Sequence, residues 1–226
     1  MSEIITTSNG IEIAHPTEKM TEVGEFKKIA EAYGLNGENP AQRAESFRGM
    51  TNENIAFMLA DINRKLQGSD DTLVRPTTHE FVKANIKLVA PENRYDVFTS
   101  FLDKAREARD INPARLGDAI ALATVMLYPF EDGNGRTARA VAFLFRDNID
   151  GADAQEDFEV ITESRDAVRA RSGFLIDSYI PVLNAGEDQS SPAVVNNFLE
   201  RALVGDERLY TGPWSQAPAV SMSGGQ

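Results

Sequence analysis

The chain contains no cysteine, which removes disulfides and thiolate chemistry together. It also lacks any uninterrupted apolar run of about 18 residues, so no segment reads as a membrane span. The opening MSEIITTSNGIEIAHPTEKM has neither a basic start nor a continuous apolar stretch and does not read as a secretory signal. The expectation is a cytoplasmic protein, or one delivered to a host cell without such a signal. Positive charge is scarce: 23 Lys and Arg against 35 Asp and Glu leave a net charge of -12. That balance works against non-specific nucleic-acid binding, because phosphate backbones reward a basic face. What remains is a 226-residue chain, 42% hydrophobic and 26% charged, with enough apolar material for one domain plus extensions.

Periodicity then divides the chain. Residues 1–45 read as a polar N-terminal extension broken by Gly10, Pro16, Gly24, Gly37 and Pro40, with one helical stretch at Glu25 to Tyr33. From Thr51, a capping residue, the apolar positions Ile55, Met58, Leu59, Ile62 and Leu66 recur at helical spacing until Gly68. Leu73 to Val89 alternates around Phe81, Ile86 and Leu88 and favours a short hairpin. After Pro91 a helix carries Val97, Phe98, Phe101, Leu102 and Ala105 on one side. Asn112 and Pro113 then read as an N-cap and first-turn proline opening a very apolar, buried helix to Leu127. Beyond a loop at Tyr128 to Gly135, a helix from about Gly135 turns Val141, Leu144 and Phe145 inward. An acidic connector near Gly151 to Asp157, a long helix from about Ser164 to Leu183 and a short one started by Ser191 and Pro192 follow. The expected architecture is mainly α with one short β-hairpin. Its core covers 46–185, and 186–226 forms a C-terminal helix and flexible tail.

The loop carries the chemistry. In Phe130-Glu131-Asp132-Gly133-Asn134-Gly135-Arg136, two glycines flank an asparagine just before a helix, so backbone N–H groups can converge and the helix N-terminus adds partial positive charge. Alone, such a segment reads as a turn. Arg136 and Arg139, three residues apart, add two forked cations on one face. Cations oppose the dipole of a helix N-terminus, a conflict that a bound polyanion resolves. Asp132 offers a hard oxygen ligand of the kind magnesium takes beside phosphates.

Tyr128-Pro129-Phe130-Glu131-Asp132-Gly133-Asn134-Gly135-Arg136-Thr137-Ala138-Arg139 resembles the signature HPFx(D/E)GNGRxxR of the Fic (Fic/Doc, or Fido) family at every defined position except the first. The resemblance covers roughly residues 50–183. It implies a Fic-type helical bundle whose hairpin, here near 73–89, is a flap on which a target protein docks. The activity it implies is transfer of AMP from ATP, with magnesium, to a Ser, Thr or Tyr hydroxyl of that target. Asp132 would then hold the metal, Gly133, Asn134 and Gly135 would line the α-phosphate site, and Arg136 and Arg139 would hold the outer phosphates. Asn134 and Arg136 would stand, with position 128, among the catalytic residues, and Phe130 would anchor the loop in the core.

Tyr128 is the departure. The family's histidine takes the proton of the attacking hydroxyl, whereas a phenol at pH 7 is a neutral donor. General-base catalysis contributes roughly 10² to 10⁴ in rate. Positioning and electrostatic stabilisation of the phosphates do not depend on it. Two readings follow: a transferase weakened or altered by Tyr128, or a non-catalytic Fic-fold module that binds nucleotide or a partner protein. The two histidines, His15 and His79, read as ordinary surface or loop residues. The family also implies inhibitory control through an (S/T)xxxE(G/N) helix, in the chain or on a partner, whose glutamate pairs with the second arginine, Arg139. Thr21 to Phe26 matches it only as far as Glu25, and Ser8 to Glu12 is followed by Ile13.

Overall fold

The computed structural model describes residues 3–6, 12–15, 23–68, 77–78, 81–82, 86–163 and 190–205. Within them the chain is mainly helical: α1 (Val23–Ala32), α2 (Pro40–Gly49), α3 (Asn52–Leu66), α4 (Pro91–Glu107), α5 (Pro113–Leu127), α6 (Asn134–Leu144), α7 (Ala154–Glu163) and α8 (Pro192–Val204). A 3-10 turn at Asp147–Asp150 joins α6 to α7. Two short antiparallel pairs complete it, β1 (Glu3–Thr6) with β2 (Glu12–His15) and β3 (Phe81–Val82) with β4 (Ile86–Lys87).

Local chemistry explains most helix starts. The Thr51 hydroxyl accepts from the Asn54 N–H at 3.1 Å, and the Asn112 side chain accepts from the Ala114 N–H at 2.9 Å ahead of Pro113. Gly68 follows α3 at φ 63°, the left-handed conformation a helix end favours.

The core is continuous, running from Phe26 and Phe47 through Ile55, Met58 and Ile62 to Phe101, Leu116, Phe143, Phe158 and Phe198. α5 lies at its centre, with eleven of its residues buried, and α6 packs along it. Gly117 makes that approach possible: a Cβ there would lie 2.8 Å from the Phe145 Cβ. α5 also carries a half-buried ion pair, in which Arg146 donates to the buried Asp118 carboxylate at 2.6 Å. Burial nonetheless pushes the Asp118 carboxyl up to about 6, because desolvation of the charge outweighs the attraction of Arg146 and Arg115.

Several sequence expectations need correction. Pro40 starts α2 as its first residue, behind the Asn39 cap, and does not break the chain. α2 escapes a periodicity search because its inward face includes a charged residue. Arg43 is buried, and its guanidinium donates to the carbonyls of Leu144 (2.6 Å), Gly37 (3.0 Å) and Arg146 (3.1 Å) and to Asp150 (3.0 Å). The acidic connector is shorter than expected, since α7 already begins at Ala154 and buries Phe158. The helix begun by Ser191 runs 13 residues, with Val195, Phe198, Leu199, Ala202 and Leu203 buried, and so is not short. The extension is not wholly irregular outside its one helix, because β1 and β2 pair within it. The expected helix over 164–183, the tail from 210 and His79 lie outside the described residues.

Candidate functional site

The site is assembled where α5 stops and α6 starts. Tyr128 caps α5 at φ 50° and ψ 58°, the only non-glycine residue with positive φ among the described residues, and its N–H still donates to the Thr124 carbonyl at 3.1 Å. The chain therefore reverses at a left-handed residue. Phe130 is buried and anchors the loop in the core.

Asn134 closes the turn. Its Oδ1 accepts from the Phe130 N–H at 2.9 Å and its Nδ2 donates to the Phe130 carbonyl at 2.6 Å. The side chain thus mimics a strand partner and shapes the loop from inside, with Asn134 buried. Gly133 stands at φ 76°, and a Cβ on it would lie 2.2 Å from Gln67 Nε2 and 2.7 Å from Asn63 Nδ2. Both its backbone angle and its surroundings call for glycine. α6 begins at Asn134, one residue earlier than the sequence suggests.

Fewer N–H groups converge than expected from the loop itself. That of Phe130 is taken by Asn134, and that of Gly133 by the Asp132 carboxylate at 2.6 Å. The N–H groups of Asn134, Gly135 and Arg136, in the first turn of α6, have no acceptor among the described residues; the first intrahelical bond at this end runs from Thr137 N–H to the Gly133 carbonyl. Three donors and the helix dipole therefore meet at one helix end.

The two arginines leave that turn differently. Arg139 is buried and folds back over the turn, its Nη1 3.4 Å from where a Gly135 Cβ would stand. Arg136 leans to the end of α3, where Nη1 donates to the Leu66 carbonyl at 3.3 Å and Nη2 to Gln67 Oε1. Part of the conflict between an arginine and the α6 dipole is thereby answered by the opposite, negative end of α3.

Asp132 is exposed, with one carboxylate oxygen on the Gly133 N–H. Glu131 accepts from the Thr78 N–H at 3.1 Å. Among the described residues no group of three or more His, Cys, Asp or Glu could hold a metal by itself. A single exposed carboxylate fits magnesium arriving with phosphates and water, not a cage made by the protein alone.

Sequence reasoning missed three supporting residues. Asn63 on α3, 5% exposed, donates from Nδ2 to the Asp132 carbonyl (2.9 Å) and the Thr137 hydroxyl (3.0 Å). One turn later, Gln67 accepts from Arg136 through Oε1, and its Nε2 is buried against Gly133 with no hydrogen-bond partner among the described residues. The signal was an amide set on the apolar stripe of α3. Arg94 is the third. Its Nε donates to the Val89 carbonyl at 2.8 Å and its Nη1 to the Thr77 carbonyl at 3.3 Å. Burial lowers its pKa. Thr77 in turn donates through its N–H to the Pro129 carbonyl at 3.1 Å, so both sides of the β3–β4 pair are tied to the loop through one guanidinium. The partial inhibitory pattern takes another course: Phe26 is fully buried and Glu25 pairs with Lys65 at 2.9 Å.

No protein-family model, no curated protein and no solved structure matches this chain.

Proposed function

We propose that the chain is a Fic-like nucleotidyl transferase that uses ATP and magnesium to place AMP on a Ser, Thr or Tyr hydroxyl of a target protein, with activity weakened by Tyr128. The observation carrying this reading is the first turn of α6, where the N–H groups of Asn134, Gly135 and Arg136 lack acceptors among the described residues beneath the Arg139 guanidinium. Such a turn suits an anionic phosphate. The buried Gln67 Nε2 adds a donor without a partner among the described residues beside it. In the reaction, the target oxygen forms a bond to the α-phosphorus, the bond from that phosphorus to the bridging oxygen breaks, and pyrophosphate leaves. The α6 turn and Arg139 would hold the phosphates in line, and Asp132 would orient a magnesium ion whose chemistry is charge neutralisation. The hydroxyl proton has to go to a base, and a phenol at position 128 is a donor. The segment around β3 and β4, laid against the loop through Thr77 and Thr78, would guide the target.

Incubation of the purified protein with labelled ATP, magnesium and lysate tests this. Tyr128→His is expected to raise labelling by roughly 10² to 10⁴, and wild type to bind ATP in a magnesium-dependent manner that Asp132→Ala weakens. Absence of binding by the folded protein at about millimolar ATP rejects the reading.

A second reading is favoured by Arg136, which turns two of its five N–H donors to Leu66 and Gln67. It makes the chain a non-catalytic Fic-fold module that binds nucleotide or a partner protein. ATP binding by a protein in which neither wild type nor Tyr128→His labels any target selects it.

A further inference from the structure

Gln67 closes α3 as its C-cap, and its side chain is wedged against the turn that opens α6. A Cβ on Gly133 would lie 2.2 Å from Gln67 Nε2 and 3.0 Å from its Cδ, so the glycine vacates the volume that the amide fills. The amide faces one way. Oε1 accepts from Arg136 Nη2, whereas Nε2 is buried with no hydrogen-bond partner among the described residues. Turned over, the amide would set its NH₂ against a guanidinium, donor against donor. Its orientation is therefore dictated by Arg136.

Arg136, half-buried, meets two neutral oxygens, that of Gln67 and the Leu66 carbonyl, and makes no ion pair among the described residues. Such acceptors fix a guanidinium without cancelling its charge, and three of its five N–H donors remain after these two bonds. The charge is carried on the first turn of α6, at the positive end of that helix, where a cation is unfavourable until an anion joins it. The N–H groups of the turn suffice for one phosphate. The guanidinium, drawn aside to α3, is placed for a second one linked to it.

We propose that Gln67 is a positioning residue of this site, acting through Arg136 to favour an anion of two or more linked phosphates over a single phosphate. The inference rests on the reading of the α6 turn as a phosphate site. By holding the guanidinium before any ligand arrives, the amide removes rotamer freedom that Arg136 would otherwise lose on binding.

Calorimetry on the full-length chain with ATP and AMP, each with magnesium, and with inorganic tripolyphosphate and inorganic phosphate tests this. Gln67→Met keeps the bulk and loses the acceptor; it should weaken ATP and tripolyphosphate roughly three- to tenfold, the usual worth of one hydrogen bond, and leave AMP and phosphate unchanged. In an Arg136→Ala background the same substitution should have no further effect, which a merely structural role for Gln67 would not produce. Should Gln67→Met fail to melt cooperatively, Gln67→Glu keeps the acceptor but neutralises the guanidinium, and should weaken ATP and tripolyphosphate about tenfold or more. Unchanged polyphosphate affinity in a folded variant, an equal loss for AMP and ATP in Gln67→Met, or a loss that persists in Arg136→Ala overturns the proposal and leaves the transferase reading standing. Gln67-dependent binding of tripolyphosphate by a protein that does not bind ATP does the reverse. No binding of any of these probes to the folded protein rejects both.

Discussion

Asn63 and Gly133 are held so close that a Cβ on the glycine would lie 2.7 Å from the asparagine Nδ2. The contact joins α3 to the turn that starts α6, and it accounts for the glycine twice over. Gly133→Ala is expected to cost about 1–2 kcal/mol from the left-handed φ alone. The nearest clash, at 2.2 Å, is with the far end of Gln67 and can be relieved by rotation. Urea melts of Gly133→Ala and of Gly133→Ala with Gln67→Ala test this division, and the second change should recover only a minor part.

Asn63→Ala removes both donors to the loop and leaves the Asp132 carbonyl and the Thr137 hydroxyl short of a partner. The expected loss is about 1–3 kcal/mol. Asn63→Asp should cost more at neutral pH, because a carboxylate would face the Asp132 carbonyl, and should recover on acidification. Chemical denaturation at two pH values distinguishes the two variants.

Tyr128→His should fold as well as wild type. At φ 50° the residue occupies a region in which histidine is among the enriched side chains. A change in thermal midpoint equivalent to less than about 1 kcal/mol is expected. Any gain in labelling by this variant can then be assigned to chemistry and not to folding.

Asp118 gives stability an unusual pH limb. Its folded pKa, raised to about 6 by burial, lies above the ordinary 3.8, so the folded protein holds the proton more tightly. Its contribution to stability therefore falls as pH rises from about 4 to 6. Asp150 behaves in the opposite sense. Burial alone would raise its pKa, but hydrogen bonds from Lys27 and Arg43 outweigh burial and hold the carboxyl below its ordinary range. Its stabilisation is present above about pH 4 and lost below. Asp118→Asn should flatten the upper limb and leave the lower, as read from urea midpoints between pH 3 and 7.

Arg94→Lys should not replace Arg94, because one ammonium cannot reproduce a fork aimed at two carbonyls. A loss of about 1–3 kcal/mol is expected, together with faster amide hydrogen exchange at Leu88 and Val89. Unchanged exchange there would show that the clasp does not hold this segment.

Much of this frame is legible in the sequence wherever a local rule suffices. Thr51 and the stripe from Ile55 to Leu66 define α3, and Asn112 with Pro113 defines the start of α5, because caps and periodicity act within a few residues. α2 was hidden because Arg43 occupies its inner face, answering carbonyls about a hundred residues away that no local pattern reveals. The loop from Tyr128 to Gly133 is conspicuous as a string of residues, but its supports are not. Asn63, Gln67 and Arg94 acquire their roles only when α3 and α4 are laid beside it. Arg136 shows the same limit. Its spacing from Arg139 suggests a shared anion, and only the position of Leu66 reveals the carbonyl it meets.

α6 is fastened at both ends, by Asn63 through Thr137 at its start and by Arg43 through the Leu144 carbonyl at its finish, and all but two of its eleven residues are buried. The consequence is entropic. The donors of its first turn already stand in place, so an anion landing there gives up its own freedom while the protein gives up very little. Binding at that turn should therefore leave the order parameters of the α6 backbone unchanged, and any motion that accompanies it will be found on the side of the loop facing β3 and β4.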